Sequence, residues 1–155
     1  MDDLVIYLLN NNISISSMES LTGGMFAALL TSYSGISKVF SGSLVTYSDH
    51  IKLTLGKIEP TIIAKYGAIS KETAQAMAKN CQILFQSDIA VSFTGNAGPD
   101  AQEGKPVGLV YTGIYIYDKC YLFEDHLLGD RKTIRETIIN KTCDRIKKNL
   151  GIISI

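Results

Sequence analysis

The sequence contains no tryptophan, only 3 prolines in 155 residues, and no surplus of charge, with 15 Lys+Arg against 15 Asp+Glu. Without a basic excess, sequence-independent nucleic-acid binding lacks the cations that displace counterions from a phosphate backbone, so no nucleic-acid partner is expected. The one dense basic stretch, Arg145, Lys147 and Lys148, reads as a helix end. Cysteine is sparse: Cys81, Cys120 and Cys143 stand far apart, with no C-x-x-C pair and only His50 and His126 as histidines. That argues against a disulfide framework and a structural zinc, and leaves the thiols as core residues. No run approaches the ~18–20 consecutive apolar residues of a membrane helix. The acidic start Met1-Asp2-Asp3 fits no secretory signal, so a cytoplasmic protein without a membrane partner is expected. What is present is apolar substance: 46% AVILMFWYC residues against 19% charged residues fills a sizeable core and excludes intrinsic disorder.

Hydrophobic periodicity divides the chain into alternating elements. Residues 3–10 read as a helix stopped by Asn10-Asn11-Asn12, and Ile13 to Met18 alternate with the period of a strand. Glu19-Ser20-Leu21-Thr22-Gly23-Gly24 then forms a turn opening a helix over about residues 23–32. Residues 39–47 read as a strand, followed by short helices over 49–55 and 60–65. The clearest helix covers 71–85, capped by Ser70, with Ala74, Met77, Ala78, Cys81, Leu84 and Phe85 on its buried face. A buried strand over 87–95 runs into a Gly/Pro loop ending near Pro106. Strands over 107–117 and 120–128 are expected to turn through Asp118-Lys119, and a last helix, capped by Asp130, stops at Gly151. This order predicts a three-layer α/β/α sandwich with a mixed sheet, one domain over 1–155 without repeat or linker.

In such sheets chemistry gathers where strands run into loops. At the first junction, Ser20, Thr22, Gly23 and Gly24 put hydroxyls beside backbone N–H groups, fit to stabilise an oxyanion or hold a phosphate; an ordinary serine or threonine helix cap competes. At the second, Thr46-Tyr47-Ser48-Asp49-His50-Ile51-Lys52, a helix starting at Asp49 would put Lys52 in its first turn. There the positive end of the helix dipole and partial burial would lower its pKa and make it a base. His50 and His126 are the rival bases, although no G-x-S-x-G elbow is present. The third junction, Thr94-Gly95-Asn96-Ala97-Gly98-Pro99 onward, is glycine-rich but is neither a P-loop nor a dinucleotide fingerprint. Arg131 and Arg135, one turn apart after Gly129-Asp130, are placed to grip a phosphate, unless they simply form a solvated helix face.

These motifs in this order resemble the family of the CinA C-terminal domain, which includes nicotinamide-nucleotide amidases. The resemblance rests on Glu19–Gly24, Val45-Thr46-Tyr47-Ser48 with Lys52, Tyr66-Gly67-Ala68-Ile69-Ser70, Thr94–Pro99 with Lys105-Pro106-Val107-Gly108, and Gly129-Asp130-Arg131, over about residues 13–150. It implies metal- and cofactor-free hydrolysis of nicotinamide mononucleotide to nicotinic acid mononucleotide and ammonia, within pyridine nucleotide salvage. Ser20 would be the nucleophile, Lys52 the general base and Tyr47 a proton relay. Thr22, Gly23, Gly24, Thr94, Gly95, Gly98 and Arg131 would bind substrate. A homo-oligomer is also implied. The alternative is a CinA-like nucleotide-binding protein that is inactive or altered in specificity. The chain departs from the family's pattern at Met18, Leu21, Asn96 and Asp100–Glu103, which bears on substrate choice.

Overall fold

A computed structural model describes residues 1–152. Its strands are β1 (Ile15–Glu19), β2 (Phe40–Val45), β3 (Ile89–Gly95), β4 (Leu109–Ile116) and β5 (Lys119–His126). Its helices are α1 (Asp2–Asn11), α2 (Met25–Thr31), α3 (Asp49–Thr54), α4 (Pro60–Tyr66), α5 (Lys71–Phe85) and α6 (Arg131–Asn149). The strands form one sheet in the order β2-β1-β3-β4-β5. β1 lies parallel to both β2 and β3, whereas β4 and β5 run antiparallel, which makes the α/β sheet mixed as expected.

Both faces of the sheet are covered, and the alternation of side chains along each strand assigns them. Ile15, Ile89, Val91, Phe93 and Ile114 pack with Leu4 and Leu8 of α1, Phe26 and Leu30 of α2, and Ile134, Ile138 and Ile146 of α6. On the other face Met18, Ala90 and Tyr115 meet Met77, Ala78 and Cys81 of α5. Gly113 of β4 lets α5 approach: a Cβ there would lie 2.6 Å from the Ala74 carbonyl oxygen, and Ser92 Oγ donates to that same oxygen at 2.6 Å.

The caps read from the sequence hold: Ser70 Oγ accepts from Thr73 N at 3.1 Å and Asp130 from Thr133 N at 2.8 Å. Three expectations need correction. The hairpin turns through Tyr117-Asp118, not Asp118-Lys119, because Ile116 pairs with Lys119 and the positive φ of 51° falls on Tyr117. Moving the turn by one residue changes each cross-strand partner by two positions, so every β5 side chain keeps its face and changes only its partner. Leu84, expected on the buried stripe of α5, is 56% exposed, whereas its neighbour Phe85 packs against the core. A 3-10 turn over Ile36–Lys38 was not foreseen; it is too short for periodicity to reveal.

Candidate functional site

The turn after β1 is built around a carboxylate. Glu19 is fully buried, and its oxygens accept from Gly24 N at 3.0 Å, Phe26 N at 3.2 Å and Ala27 N at 3.0 Å. The hydroxyls of Ser17 and Ser43 add donors at 3.2 and 3.3 Å. Glu19 therefore closes the N-terminus of α2 from a distance, and the capping role that competed for Ser20 and Thr22 is already filled. Ser20 N is held by the Phe93 carbonyl at 3.0 Å, while its hydroxyl makes no hydrogen bond among the described residues. Gly23, at φ 57°, turns its N–H back onto the Ser20 carbonyl at 3.0 Å, and Gly24 N–H belongs to Glu19. The N–H groups of Leu21 and Thr22 carry no partner among the described residues. The free donors beside the serine are thus those of Leu21 and Thr22, two residues before the glycines.

The segment after β2 carries the lysine. Ser48 Oγ caps α3 by accepting from Ile51 N at 3.3 Å, and Lys52 falls in the last turn of this short helix rather than its first. The helix dipole therefore favours its charge, contrary to expectation. Its pKa is nonetheless lowered, because burial to 3% exposure strips water from the ammonium; Asp49, 3.5 Å away, opposes that shift only in part. No hydrogen bond joins Lys52 to Ser20, and Lys52 does not line the cavity on which Ser20 opens. Thr46, whose N donates to the Glu19 carbonyl at 2.8 Å, ties this segment to the serine turn.

The loop after β3 is clasped shut by its own side chains. Asn96 Nδ2 donates to the carbonyls of Lys105 at 2.8 Å and Gln102 at 3.2 Å. Glu103 accepts from Ala68 N at 2.8 Å, Ile69 N at 3.2 Å and Lys105 Nζ at 3.0 Å. Burial pushes the Glu103 carboxyl up, but Lys105 and those two N–H groups hold it below its usual value. Gly67 is required there, since a Cβ would strike the Glu103 carboxylate. Thr94, expected to bind substrate, spends its hydroxyl on the Ala68 carbonyl at 2.7 Å. Gly95 is glycine because a Cβ would lie 2.5 Å from the Leu109 carbonyl.

The two arginines separate. Arg135 turns inward and donates to the Thr22 carbonyl at 2.7 Å, which sets the serine turn rather than a phosphate site. Arg131, at the start of α6, donates to the Gly98 carbonyl at 2.7 Å and to Tyr47 Oη at 2.6 Å. Ser20, Leu21, Tyr47, Gly95, Gly98 and Arg131 come together with Asp100 and Gln102 around a cavity of about 80 Å³. Thr22, Gly23, Gly24 and Thr94, also expected to bind substrate, do not line it. Neither histidine reaches it: His50 is exposed on α3, and His126 pairs with Glu124 at 2.8 Å on β5. That removes the histidine triad. The thiols of Cys81 and Cys143 are pushed up to about 12 by burial, which fits their core role. Sequence reasoning missed Glu19, Asn96 and Glu103 as organisers. Glu19 had one legible signal, an acid five residues before an uncapped helix start; Asn96 and Glu103 act on partners fixed only by folding.

A strand–turn–helix serine, a buried lysine on the neighbouring segment and an arginine–tyrosine rim gather around a small cavity at the carboxyl ends of β1 and β3 in a mixed α/β sheet. The CinA C-terminal domain model matches residues 1–150, and the chain belongs to this family. It is 42% identical over 144 residues, 92% of the chain, to a competence-damage inducible protein of Clostridium novyi. A protein so named from Bacillus subtilis is 42% identical over 148 residues, 96% of the chain. The chain spans about a third of the length of these curated relatives, 35% and 36%. Among solved structures, competence damage-inducible protein A of Klebsiella pneumoniae superposes with a TM-score of 0.93 at 23% identity, covering 99% of this chain and 96% of that one. The competence/damage inducible protein of Agrobacterium tumefaciens does so at 0.89 and 27% identity, covering 94% and 90%.

Proposed function

We propose that the chain is a metal-free Ser-Lys amidohydrolase that converts nicotinamide mononucleotide to nicotinic acid mononucleotide and ammonia, with a place in pyridine nucleotide salvage in the cytoplasm. The observation that carries the reading is Lys52: an amine held out of water beside one weak partner, its pKa lowered, on the segment tied to a serine whose hydroxyl has no structural task. Ser20 Oγ attacks the carboxamide carbon and its proton passes to the Lys52 amine in its deprotonated form, which the lowered pKa favours. Because the two residues share no direct hydrogen bond, the scheme needs Tyr47 as relay. The oxyanion faces the free N–H groups of Leu21 and Thr22. Collapse of the tetrahedral adduct breaks the C–N bond, the proton returns to nitrogen, ammonia leaves, and water then cleaves the Ser20 ester to the acid. A cavity of about 80 Å³ takes the reacting carboxamide and leaves the ribose phosphate over the rim of Tyr47, Asp100 and Arg131.

A second reading, a nucleotide-binding module without turnover, draws on the missing Ser20–Lys52 hydrogen bond. Ammonia release from nicotinamide mononucleotide, after chelator treatment and with Ser20→Ala alongside, separates the two. The amidase predicts chelator-resistant turnover that falls by about 10³-fold or more in Ser20→Ala. Turnover retained in Ser20→Ala overturns the nucleophile, and a ligand-induced rise in Tm without turnover establishes the binding module.

A further inference from the structure

We propose that Arg131 is a positioning residue for Tyr47: pinned to the Gly98 carbonyl, its guanidinium holds the phenol oxygen as an acceptor and so fixes the hydroxyl on the rim of the Ser20 cavity. The inference rests on the amidase reading and extends it to how the relay is oriented.

A guanidinium carries five N–H donors and no acceptor, in one rigid plane. Nη1 donates to Gly98 O at 2.7 Å and Nη2 to Tyr47 Oη at 2.6 Å, so one plane spans the loop after β3 and the segment after β2. Tyr47 is 59% exposed and makes no other side-chain hydrogen bond among the described residues. Nothing else orients its hydroxyl. Since Arg131 cannot accept, the Tyr47 proton is not spent on it and stays free for the relay. Tyr47 and Arg131 line the cavity that Ser20 opens on, which contains the substrate's reacting amide in the reading above. The same guanidinium keeps N–H groups uncommitted to Gly98 or Tyr47, and these remain for an anionic group on the rim. A lysine at 131 would supply the charge for that anion but not the planar fork that joins two acceptors.

The test is a double-mutant cycle on nicotinamide mononucleotide hydrolysis with Arg131→Lys, Tyr47→Phe and the double variant, each checked by Tm. Arg131 is exposed at the first position of α6, so the fold is expected to survive both substitutions. Positioning predicts that Arg131→Lys lowers kcat about tenfold with KM changed by less than about threefold, and that this loss vanishes in the Tyr47→Phe background. A rise in KM at unchanged kcat, or a kcat loss of equal size in both backgrounds, overturns the inference and leaves Ser20 and Lys52 untouched. Unchanged kcat in Tyr47→Phe removes the relay itself and this inference with it. Turnover retained in Ser20→Ala, by contrast, fails the amidase reading independently of the cycle.

Discussion

Lys52 is costly to the folded chain, and that cost is the clearest sign of purpose at the scale of single residues. A buried ammonium with one partner at 3.5 Å destabilises the fold, because little replaces its lost hydration. Its pKa is lower folded than unfolded, so the folded state binds fewer protons between the two values and stability rises with pH across that window. Lys52→Met removes the charge at similar volume. It is expected to raise stability by on the order of 1 kcal/mol near neutral pH while abolishing turnover, read by denaturant unfolding beside the ammonia assay. Asp49 supplies the opposing term, since its carboxylate favours the cation. Asp49→Asn should therefore lower the Lys52 pKa further and shift the rising limb of the kcat/KM pH profile toward lower pH; a shift toward higher pH would refute the Asp49–Lys52 pairing.

Among the elements, α2 and the loop after β3 owe their places to carboxylates distant in sequence. α2 has seven residues and no cap from its own N-terminal side chains, so its first turn depends on Glu19. Glu19→Ala would leave the N–H groups of Gly24, Phe26 and Ala27 without acceptor beneath the serine turn, while Ser17 would keep only Ser43 as its acceptor. The expected loss is about 3–5 kcal/mol, measured as a fall in the midpoint of chemical unfolding, and the Ser20 turn would loosen with it. The loop clasp is weaker because Glu103 is partly solvated. Glu103→Gln should cost about 1 kcal/mol and speed hydrogen exchange at Ala68 and Ile69, whose amides it holds. Unaltered exchange at both amides would show that the loop is kept in place by Asn96 instead.

At the scale of the whole molecule, the last helix is locked to the edge of the sheet by one carboxylate. Asp125 of β5, 5% exposed, receives both Nη atoms of Arg145 at 2.7 and 2.8 Å and the Lys141 ammonium. Burial pushes its pKa up, but these two cations more than offset that and hold it below the usual carboxylate value. A depressed carboxylate stabilises the fold above its unfolded pKa, and this contribution is lost as pH falls through the folded value. Asp125→Asn should therefore cost about 3 kcal/mol at neutral pH and flatten the acid limb of the stability profile, followed by Tm against pH. β5 is also an outer strand, and we propose that the homo-oligomer implied by the family resemblance covers this edge; a monomer by light scattering would remove that proposal.

Most of the architecture lay within reach of the sequence because it rests on local rules. Periodicity located α5 and α6, serine and aspartate marked their starts, and β-branched runs marked β2 and β3, since caps and burial patterns involve residues a few positions apart. The motif residues Ser20, Tyr47, Gly95, Gly98 and Arg131 could likewise be named in advance. Their chemistry could not. Lys52 was expected to be tuned by a helix terminus together with partial burial; the terminus acts the other way, and burial, a property of everything packed around it, does the tuning. Thr94 was expected to bind ligand and instead holds the Ala68 carbonyl. Arg131 and Arg135, one turn apart on α6, serve different partners because one faces Thr22 and the other the cavity rim. Spacing along a chain determines which side chains share a face; what that face meets, and how much water remains there, is decided only when distant segments close over it.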